Sequence, residues 1–179
     1  MSIQIGEDVF DKTFFDIVEQ IAVDVPDIDG TTGERQELSK IRESKIKLFH
    51  DADVTKHIMP WINSMNMIHY QFDIFNDCEP MQYTTYNASV GGHYDWHEDD
   101  FILNDKRFVR KLSASILLSD GNEYEGGDLE IENYDLPHEI TRSKGNIILF
   151  PSFLRHRVTP VTRGVRKSLV VWISGPSWR

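Results

Sequence analysis

The sequence IILFPSFLRHRVTPVTRGVRKSLVVWI, residues 147–173, consists of short β-type runs separated by turn residues. Residues 147–150 and 165–173 are rich in β-branched and aromatic types, whereas Pro160 and Gly164 between them are typical of turns. Runs that return after so few turn residues predict the strands of a sandwich or barrel rather than strands alternating with long helices.

The same pattern extends back to residue 69 and predicts a mainly β fold. Seven β-type runs follow one another in this part of the chain: HYQFDIF (69–75), MQYTTYNA (81–88), HYDWHED (93–99), RFVRKLSASILLS (107–119), GGDLEIE (126–132), EITRSKGNIILF (139–150) and VRKSLVVWI (165–173). Because short strands at this spacing are typical of sandwiches and barrels, we expect a jelly-roll-like barrel core over residues 68–179.

Ahead of the barrel, the sequence predicts two amphipathic helices, a loop and a short strand. Two series of apolar residues recur at helical spacing: first Phe10, Phe14, Ile17, Val18 and Ile21, then Val54, Ile58, Trp61, Ile62 and Met65. The polar segment from Asp27 to Glu37 indicates a surface loop, and Ile41 to Phe49 indicates a strand. We therefore expect a single domain, residues 1–179, whose helical support region (1–67) packs on the barrel.

Composition narrows the classes of partner. The chain has 179 residues, with 19 Lys and Arg against 29 Asp and Glu, and a formal net charge of −10. Since nucleic-acid backbones are bound mainly by clustered Lys and Arg, we expect no nucleic-acid partner. The single cysteine, Cys78, indicates a reducing compartment. With neither a signal-peptide pattern nor an apolar run long enough for a membrane span, we expect a cytoplasmic protein that binds no membrane.

The densest group of chemically active side chains is GGHYDWHEDD, residues 91–100. Successive side chains of a strand alternate between faces, so His93, Asp95, His97 and Asp99 are predicted to share one face. A histidine and a carboxylate two residues apart, completed by a third ligand from a distant strand, are typical of the facial metal site of non-heme Fe(II) oxygenases. The segment contains two overlapping His-x-Asp pairs, and the spacing alone does not choose between them.

A second part of this pattern lies near the C-terminus. His156 ends an apolar run, the turn residues Pro160 and Gly164 follow it, and Arg166 enters the next β-type run. A strand, a turn and a returning strand of this length are predicted to bring His156 and Arg166 to the same end of a barrel. There His156 would complete the metal site, and Arg166 would offer its planar set of donors to a carboxylate.

A longer series of motifs runs through the β-rich part of the chain, residues 80–175. In order, the motifs are Tyr86, Gly91, Tyr94-x-x-His97-x-Asp99, Gly126-Gly127-Asp128-Leu129, Leu149-Phe150-Pro151-Ser152, His156-Arg157-Val158-Thr159-Pro160-Val161 and Gly164-x-Arg166. In this order they resemble the Fe(II)- and 2-oxoglutarate-dependent dioxygenases, specifically the prolyl-4-hydroxylase-like branch that includes the bacterial PKHD-type hydroxylases. The family's tyrosine three residues before the metal histidine selects His97 and Asp99 and leaves His93 and Asp95 as neighbours.

The resemblance implies a double-stranded β-helix with a defined catalytic centre. His97, Asp99 and His156 are then the catalytic Fe(II) ligands, and 2-oxoglutarate chelates the iron through its C1 carboxylate and 2-oxo group. Arg166 binds the C5 carboxylate of this co-substrate, and Tyr86 reaches toward it.

Further positions take their roles from the same resemblance. Trp172 matches a tryptophan that lines the pocket floor in related prolyl hydroxylases, and Leu118 stands where some relatives carry a tyrosine that contacts the distal carboxylate. We also expect Ile116, Leu149 and Phe150 to supply apolar walls. Separately, the glycines of Gly126-Gly127 are expected to permit a close backbone approach or an unusual turn.

The expected activity is hydroxylation of an unactivated carbon, in the first place a prolyl residue of a peptide or protein, with decarboxylation of 2-oxoglutarate to succinate. Fe(II), 2-oxoglutarate and O₂ take part, with ascorbate as the reductant, and small-molecule substrates stay open. One alternative is a cupin-like iron enzyme that does not use 2-oxoglutarate. The position of Arg166, ten residues after His156, disfavours this alternative. Another is a jelly-roll module that binds Ca²⁺ or a glycan through HYDWHEDD (93–100), but its two histidines oppose calcium.

Overall fold

Two antiparallel sheets dominate the computed structural model, which describes residues 2–30, 41–100 and 108–178. The strands, in chain order, are β1 (Gln4–Gly6), β2 (Ile28–Asp29), β3 (Arg42–Glu43), β4 (Lys45–Phe49), β5 (Met81–Asn87), β6 (His93–His97), β7 (Phe108–Leu117), β8 (Tyr124–Gly126), β9 (Leu129–Ile131), β10 (Ile147–Pro151), β11 (His156–Val158) and β12 (Val161–Pro176). The larger sheet has the order β1-β10-β7-β12-β5-β4-β2, with β8 paired to β12, and the smaller has the order β3-β6-β11-β9. The prediction of a mainly β fold is confirmed.

Two helices were predicted and both are present, α1 (Lys12–Asp24) and α2 (Ala52–Met65). Each begins at an aspartate that accepts hydrogen bonds from the first turn: Asp11 from the Phe14 N–H, and Asp51 from the Asp53 and Val54 N–H groups. No helix of the described residues is long and apolar enough to cross a membrane.

The helices cover one face of the larger sheet. Phe14 and Val18 of α1 and Ile58 and Ile62 of α2 are fully buried. They belong to one apolar cluster with residues of three sheet strands: Leu112, Ala114, Ile116, Leu149, Leu169, Val171 and Ile173. Burying each large apolar side chain contributes about 1.5–3 kcal/mol, so this layer anchors the barrel to its support.

The opposite face of the larger sheet faces the smaller sheet across a second cluster. That cluster takes residues from both sheets: Tyr86, Leu117, Tyr124, Leu129, Ile131, Ile148, Phe150, Val158 and Val161. Because neighbouring side chains of a strand alternate, Phe150 lies in this inner cluster while Leu149 lies under the helices, as does Ile116. The expectation that Ile116 and Leu149 wall the site was therefore wrong, and only Phe150 does so.

Three predicted elements differ in detail. The segment HYQFDIF is no strand, because a π-helical turn, Asn66–Tyr70, extends α2 and Gln71 ends it at a positive φ of 54°. The predicted strand Ile41–Phe49 is divided at Ser44 into β3 and β4, which join different sheets. EITRSKGNIILF becomes a strand only from Ile147.

The N-terminal part also contributes to the sheets. Besides its helices it supplies β1 to β4, so both sheets include strands from residues 1–67. Within the predicted loop from Asp27 to Glu37, Ile28 and Asp29 form β2 and pair with β4, and residues 31–37 lie outside the described residues.

Candidate active site

His97, Asp99 and His156 come together where the smaller sheet faces the larger one. His97 at the end of β6 and His156 at the start of β11 are direct cross-strand partners. Asp99 follows β6, and its backbone N–H donates to the Ser152 carbonyl at 2.8 Å. Nε2 of His97 lies 3.9 Å and Nε2 of His156 3.5 Å from the Asp99 carboxylate. The three side chains thus present one nitrogen or oxygen each to a common point.

Hydrogen bonds fix the orientation of all three side chains. Nδ1 of His97 lies 2.7 Å from the Asp95 carbonyl, and Nδ1 of His156 lies 2.9 Å from the Leu154 carbonyl. Since a carbonyl only accepts, each Nδ1 carries the proton and each Nε2 lone pair faces inward. The Asp99 carboxylate accepts a hydrogen bond of 2.8 Å from Ser113, whose hydroxyl also lies 2.9 Å from that of Ser152.

The electrostatics keep this set in a metal-binding protonation state. Burial and the nearby His156 lower the pKa of His97 to about 4. Burial raises the pKa of Asp99, but the nearby His156 and His97 and the hydrogen bond from Ser113 outweigh it, and the net pKa is lowered. At neutral pH the site therefore holds a neutral His97 beside an ionised Asp99, and metal ligands must be deprotonated in this way.

These shifts predict a pH-dependent stability for the metal-free protein. The pKa of His97 falls from 6.5 in the unfolded chain to about 4 in the folded one, so between these values only the unfolded chain is protonated there. Stability is therefore full above pH 6.5 and falls as the pH approaches 4, by on the order of 3 kcal/mol from this histidine. The depressed pKa of Asp99 acts in the same direction.

Urea unfolding of metal-free protein across this pH range measures the effect. Relative to the unsubstituted protein, His97→Ala should flatten the pH dependence of the free energy of unfolding. An equally steep dependence in His97→Ala would contradict the assignment.

Arg166 is the second element of the site. It is 1% exposed, and Nη1 donates to the Ser168 hydroxyl at 3.1 Å, whereas Nε and Nη2 have no hydrogen-bond partner. No ion pair to Arg166 is present among the described residues. Because burying an unpaired cation is costly, the guanidinium is suited to an anionic ligand that enters the same pocket.

Gly127 makes room for this arginine. Its φ is +66°, and a Cβ there would lie 2.9 Å from Arg166 Cδ and 2.9 Å from Val161 Cγ2. The prediction of a close backbone approach at Gly126-Gly127 is confirmed at this position.

Gly127→Ala is expected to destabilise the protein more than Gly91→Ala. Both glycines have a positive φ, +66° and +65°, so both variants bear backbone strain, of about 1–3 kcal/mol each. No atom lies within 4 Å of a Cβ at Gly91, whereas at Gly127 overpacking adds about 1–3 kcal/mol. The free energies of unfolding in urea measure the difference. Equal losses would show that Arg166 does not need this space.

Tyr86 and Trp172 both line the pocket that contains the triad and Arg166. Tyr86 is the cross-strand partner of Arg166, and burial raises the pKa of its hydroxyl. The Arg110 guanidinium lies over the indole ring of Trp172, with the arginine Cζ 4.0 Å from the ring centroid. Leu118, in contrast, packs under the helices, and its neighbour Leu117 belongs to the inner cluster with Tyr86.

The predicted common face of four alternating side chains on β6 was wrong. A β-bulge between β6 and β11 breaks the alternation and places Tyr94 on the same side as His97, with the two rings stacked at 3.4 Å. Asp95 is exposed, and neither His93 nor Asp95 lines the pocket. In the bulged strand, His97 and Asp99 line the pocket, whereas His93 and Asp95 do not.

Comparison with known proteins agrees with this geometry. Residues 81–174 match the model of the 2OG-Fe(II) oxygenase superfamily. The chain belongs to this superfamily. It is 44% identical over 87 residues to a PKHD-type hydroxylase of Aliarcobacter butzleri and 41% over 86 residues to one of Teredinibacter turnerae. Each match covers 46% of this chain but only 38% of the relative, so the shared part spans well under half of the relatives' length.

Solved structures share the oxygenase fold over nearly the whole chain. A viral collagen prolyl hydroxylase from Paramecium bursaria Chlorella virus-1 has a TM-score of 0.71 at 16% identity, covering 98% of this chain and 97% of that one. A prolyl hydroxylase from Trichoplax adhaerens, in complex with a hypoxia inducible factor peptide fragment, has a TM-score of 0.72 at 17% identity, covering 96% and 82%. The expected double-stranded β-helix is confirmed.

Membership in the superfamily implies Fe(II), 2-oxoglutarate and O₂, and the residues present fit this group. Two inward imidazoles and one carboxylate are the donors of a facial iron site, and Arg166 has two unpaired nitrogens for a carboxylate. Sequence reasoning missed Ser113 and Arg42, whose guanidinium stacks 4.5 Å above Tyr94, and it gave Ser152 no role of its own. Ser152 belongs to the motif Leu149-Phe150-Pro151-Ser152, but no short-range pattern marks Ser113 or Arg42, which reach the site from the distant strands β7 and β3.

Proposed function

We propose that this oxygenase hydroxylates an unactivated carbon in an Fe(II)- and 2-oxoglutarate-dependent reaction, with a prolyl residue of a peptide or protein as the first candidate. One observation carries the proposal: an oriented His97–Asp99–His156 set and a buried Arg166 with unpaired donors share one pocket. A metal-binding triad or a buried arginine alone is compatible with other functions, but a dicarboxylate that chelates a metal binds to both.

In the proposed mechanism, His97, Asp99 and His156 hold the metal, and Arg166 binds the distal carboxylate of 2-oxoglutarate. When bound, iron, 2-oxoglutarate and O₂ supply the oxidising chemistry, in which 2-oxoglutarate becomes succinate and CO₂. Ser113 holds the Asp99 carboxylate through a hydrogen bond of 2.8 Å, which limits its rotation.

The remaining pocket residues orient the co-substrate and exclude water. Apolar side chains of both sheets surround the polar groups: Tyr86, Leu129, Phe150, Val158, Val170 and Trp172. In such surroundings the Arg166–carboxylate contact is stronger than it would be in water.

Two lines of support favour a prolyl substrate. Structural neighbours include prolyl hydroxylases, one of them in complex with a peptide. In this chain, Trp172 offers a flat apolar surface beside Asp99, which suits a compact ring near the metal. Ascorbate is the proposed reductant.

The same contacts disfavour the two alternatives. A cupin-like iron enzyme without 2-oxoglutarate gives no use to the unpaired nitrogens of Arg166. A calcium module prefers oxygen ligands only, whereas two imidazole nitrogens face the point shared with Asp99.

The test supplies the protein with Fe(II), 2-oxoglutarate, O₂ and ascorbate and measures succinate. Slow conversion is expected without substrate, and a proline-containing peptide should accelerate it and gain one oxygen atom by mass. The matched control is the same peptide with alanine in place of proline. Acceleration only by compounds without proline would remove the prolyl assignment, and no conversion under any of these conditions would contradict the oxygenase proposal.

A further inference from the structure

A second group of metal-ligating side chains lies apart from the candidate active site, beside the junction of β4 and α2. His50 directly follows β4, and Asp77 and Cys78 lie in the segment that leads into β5. One ligand atom from each of the three side chains lies within 4.8 Å of the other two. Among the described residues, the only other group with this property is His97, Asp99 and His156.

The surrounding structure holds these three residues in place. Strands β4 and β5 pair through Phe49 and Met81, which brings the two segments together. Nε2 of His50 lies 3.1 Å from Asp77 Oδ1, and this oxygen also accepts the Cys78 backbone N–H at 2.9 Å. The pairing of β4 with β5 thus brings the two backbone segments together, and the hydrogen bonds of Asp77 connect His50 to the segment before β5.

The sulfur atom has a defined position as well. Cys78 is 9% exposed, and its Sγ lies 3.8 Å from the Thr55 hydroxyl, which bonds the Asp51 carbonyl at the start of α2. His50 and Asp77 are exposed, whereas Cys78 belongs to the buried apolar cluster under the helices, so an ion bound here approaches the sulfur from the side of His50 and Asp77.

The donor set selects the kind of metal. A thiolate, an imidazole and a carboxylate suit Zn²⁺, whereas Ca²⁺ and Mg²⁺ prefer oxygen ligands alone. With metal–ligand distances of about 2.0–2.3 Å, tetrahedral zinc needs ligand atoms spaced by roughly 3–4 Å. The observed spacing needs only a small closure to reach this.

We propose that His50, Asp77 and Cys78 bind Zn²⁺, with water as the fourth ligand. The bound ion connects the β4–α2 junction to the segment before β5. When zinc binds, the Cys78 thiol releases its proton to solvent and its sulfur binds as thiolate.

The site lies close to residues that support the active-site pocket. Glu79 follows Cys78 directly, and its carboxylate accepts hydrogen bonds from Arg110 at 2.7 and 3.0 Å and from Ser174. Arg110 in turn stacks on Trp172. Zinc bound to Cys78 would thus stabilise the backbone next to Glu79, whose carboxylate holds Arg110 against Trp172. It would take no part in the oxidation.

Cobalt titration of the metal-free protein tests the proposal. The chain has one cysteine, so a near-ultraviolet band from thiolate bound to Co²⁺ can come only from Cys78. The titration is made in the His97→Ala variant, which weakens the competing active-site triad. We expect a saturable band at one equivalent of Co²⁺ that Zn²⁺ abolishes. Cys78→Ser should remove the band.

The exposed ligands provide variants that leave the core intact. His50→Ala and Asp77→Asn should weaken cobalt binding at least as much as the roughly 10–100-fold loss that follows removal of an outer-shell partner. His57→Ala, at another exposed histidine near the start of α2, should change nothing. Absence of the sulfur band, or a band whose affinity is the same in His50→Ala and Asp77→Asn, would overturn the proposal. The second result would indicate an adventitious ion on the cysteine alone.

Discussion

Alanine in place of His97, Asp99 or His156 is expected to abolish the conversion of 2-oxoglutarate to succinate. Each substitution removes one of the three atoms that converge on the metal position. Removing a direct ligand should cost more than the roughly 10–100-fold loss caused by removing an outer-shell partner. Succinate formation measures the loss, and circular dichroism checks that the fold is retained.

His93→Ala is the matched control for these variants. His93 belongs to the same strand and to the other His-x-Asp pair, but it lies outside the pocket, where its Nδ1 is 2.8 Å from the Gly91 carbonyl. It should keep measurable activity. An inactive His93→Ala protein together with an active His97→Ala protein would show that the upstream pair holds the iron.

Arg166→Ala is expected to raise the concentration of 2-oxoglutarate needed for half-maximal turnover. A charge-assisted bidentate contact is worth roughly 1.5–3 kcal/mol, which corresponds to about a tenfold to more than a hundredfold increase. Arg166→Lys should show an intermediate effect, because it keeps the charge but loses the planar pair of donors. Initial rates over a range of 2-oxoglutarate concentrations provide the measurement.

Arg163→Ala separates this effect from a general loss of positive charge. Arg163 lies on the same strand, is exposed and binds Glu125 at 2.8 Å. Its replacement should change the 2-oxoglutarate requirement little. Equal effects at both arginines, or none at Arg166, would remove the carboxylate assignment and favour an iron enzyme that does not use 2-oxoglutarate.

Much of the architecture followed from local pattern. Both helices show a 3.6-residue period of apolar side chains, and most of the β-rich runs became strands because their alternation and turn residues were consistent. The prediction of a strand over HYQFDIF was wrong. Its aromatic content is typical of a strand, but residues Asn66–Tyr70 continue the preceding helix as a π-helical turn. There the Tyr70 hydroxyl donates to the Leu149 carbonyl at 2.9 Å, a contact between residues 79 positions apart.

The site was predictable in its residues but not in its supporting contacts. His156 and Arg166 were named from the spacing of the motifs, and His97 and Asp99 were selected by the resemblance to the dioxygenase family. The structure brings all four into one pocket. The bulge that turns Tyr94 toward His97 depends on pairing with β11, which lies some sixty positions later and leaves no mark on β6 itself. The placement of Leu117 rather than Leu118 beside Tyr86 likewise depends on the strand register, since a shift of one residue exchanges the two faces.

The most direct test of the central claim is an anaerobic titration of Fe(II) and 2-oxoglutarate into the protein, followed by visible absorption. The proposal predicts a weak charge-transfer band that saturates at one 2-oxoglutarate per iron, is absent in His97→Ala and needs more 2-oxoglutarate in Arg166→Ala. Iron binding without any band on addition of 2-oxoglutarate would contradict the claim that the triad and Arg166 form one metal and co-substrate site.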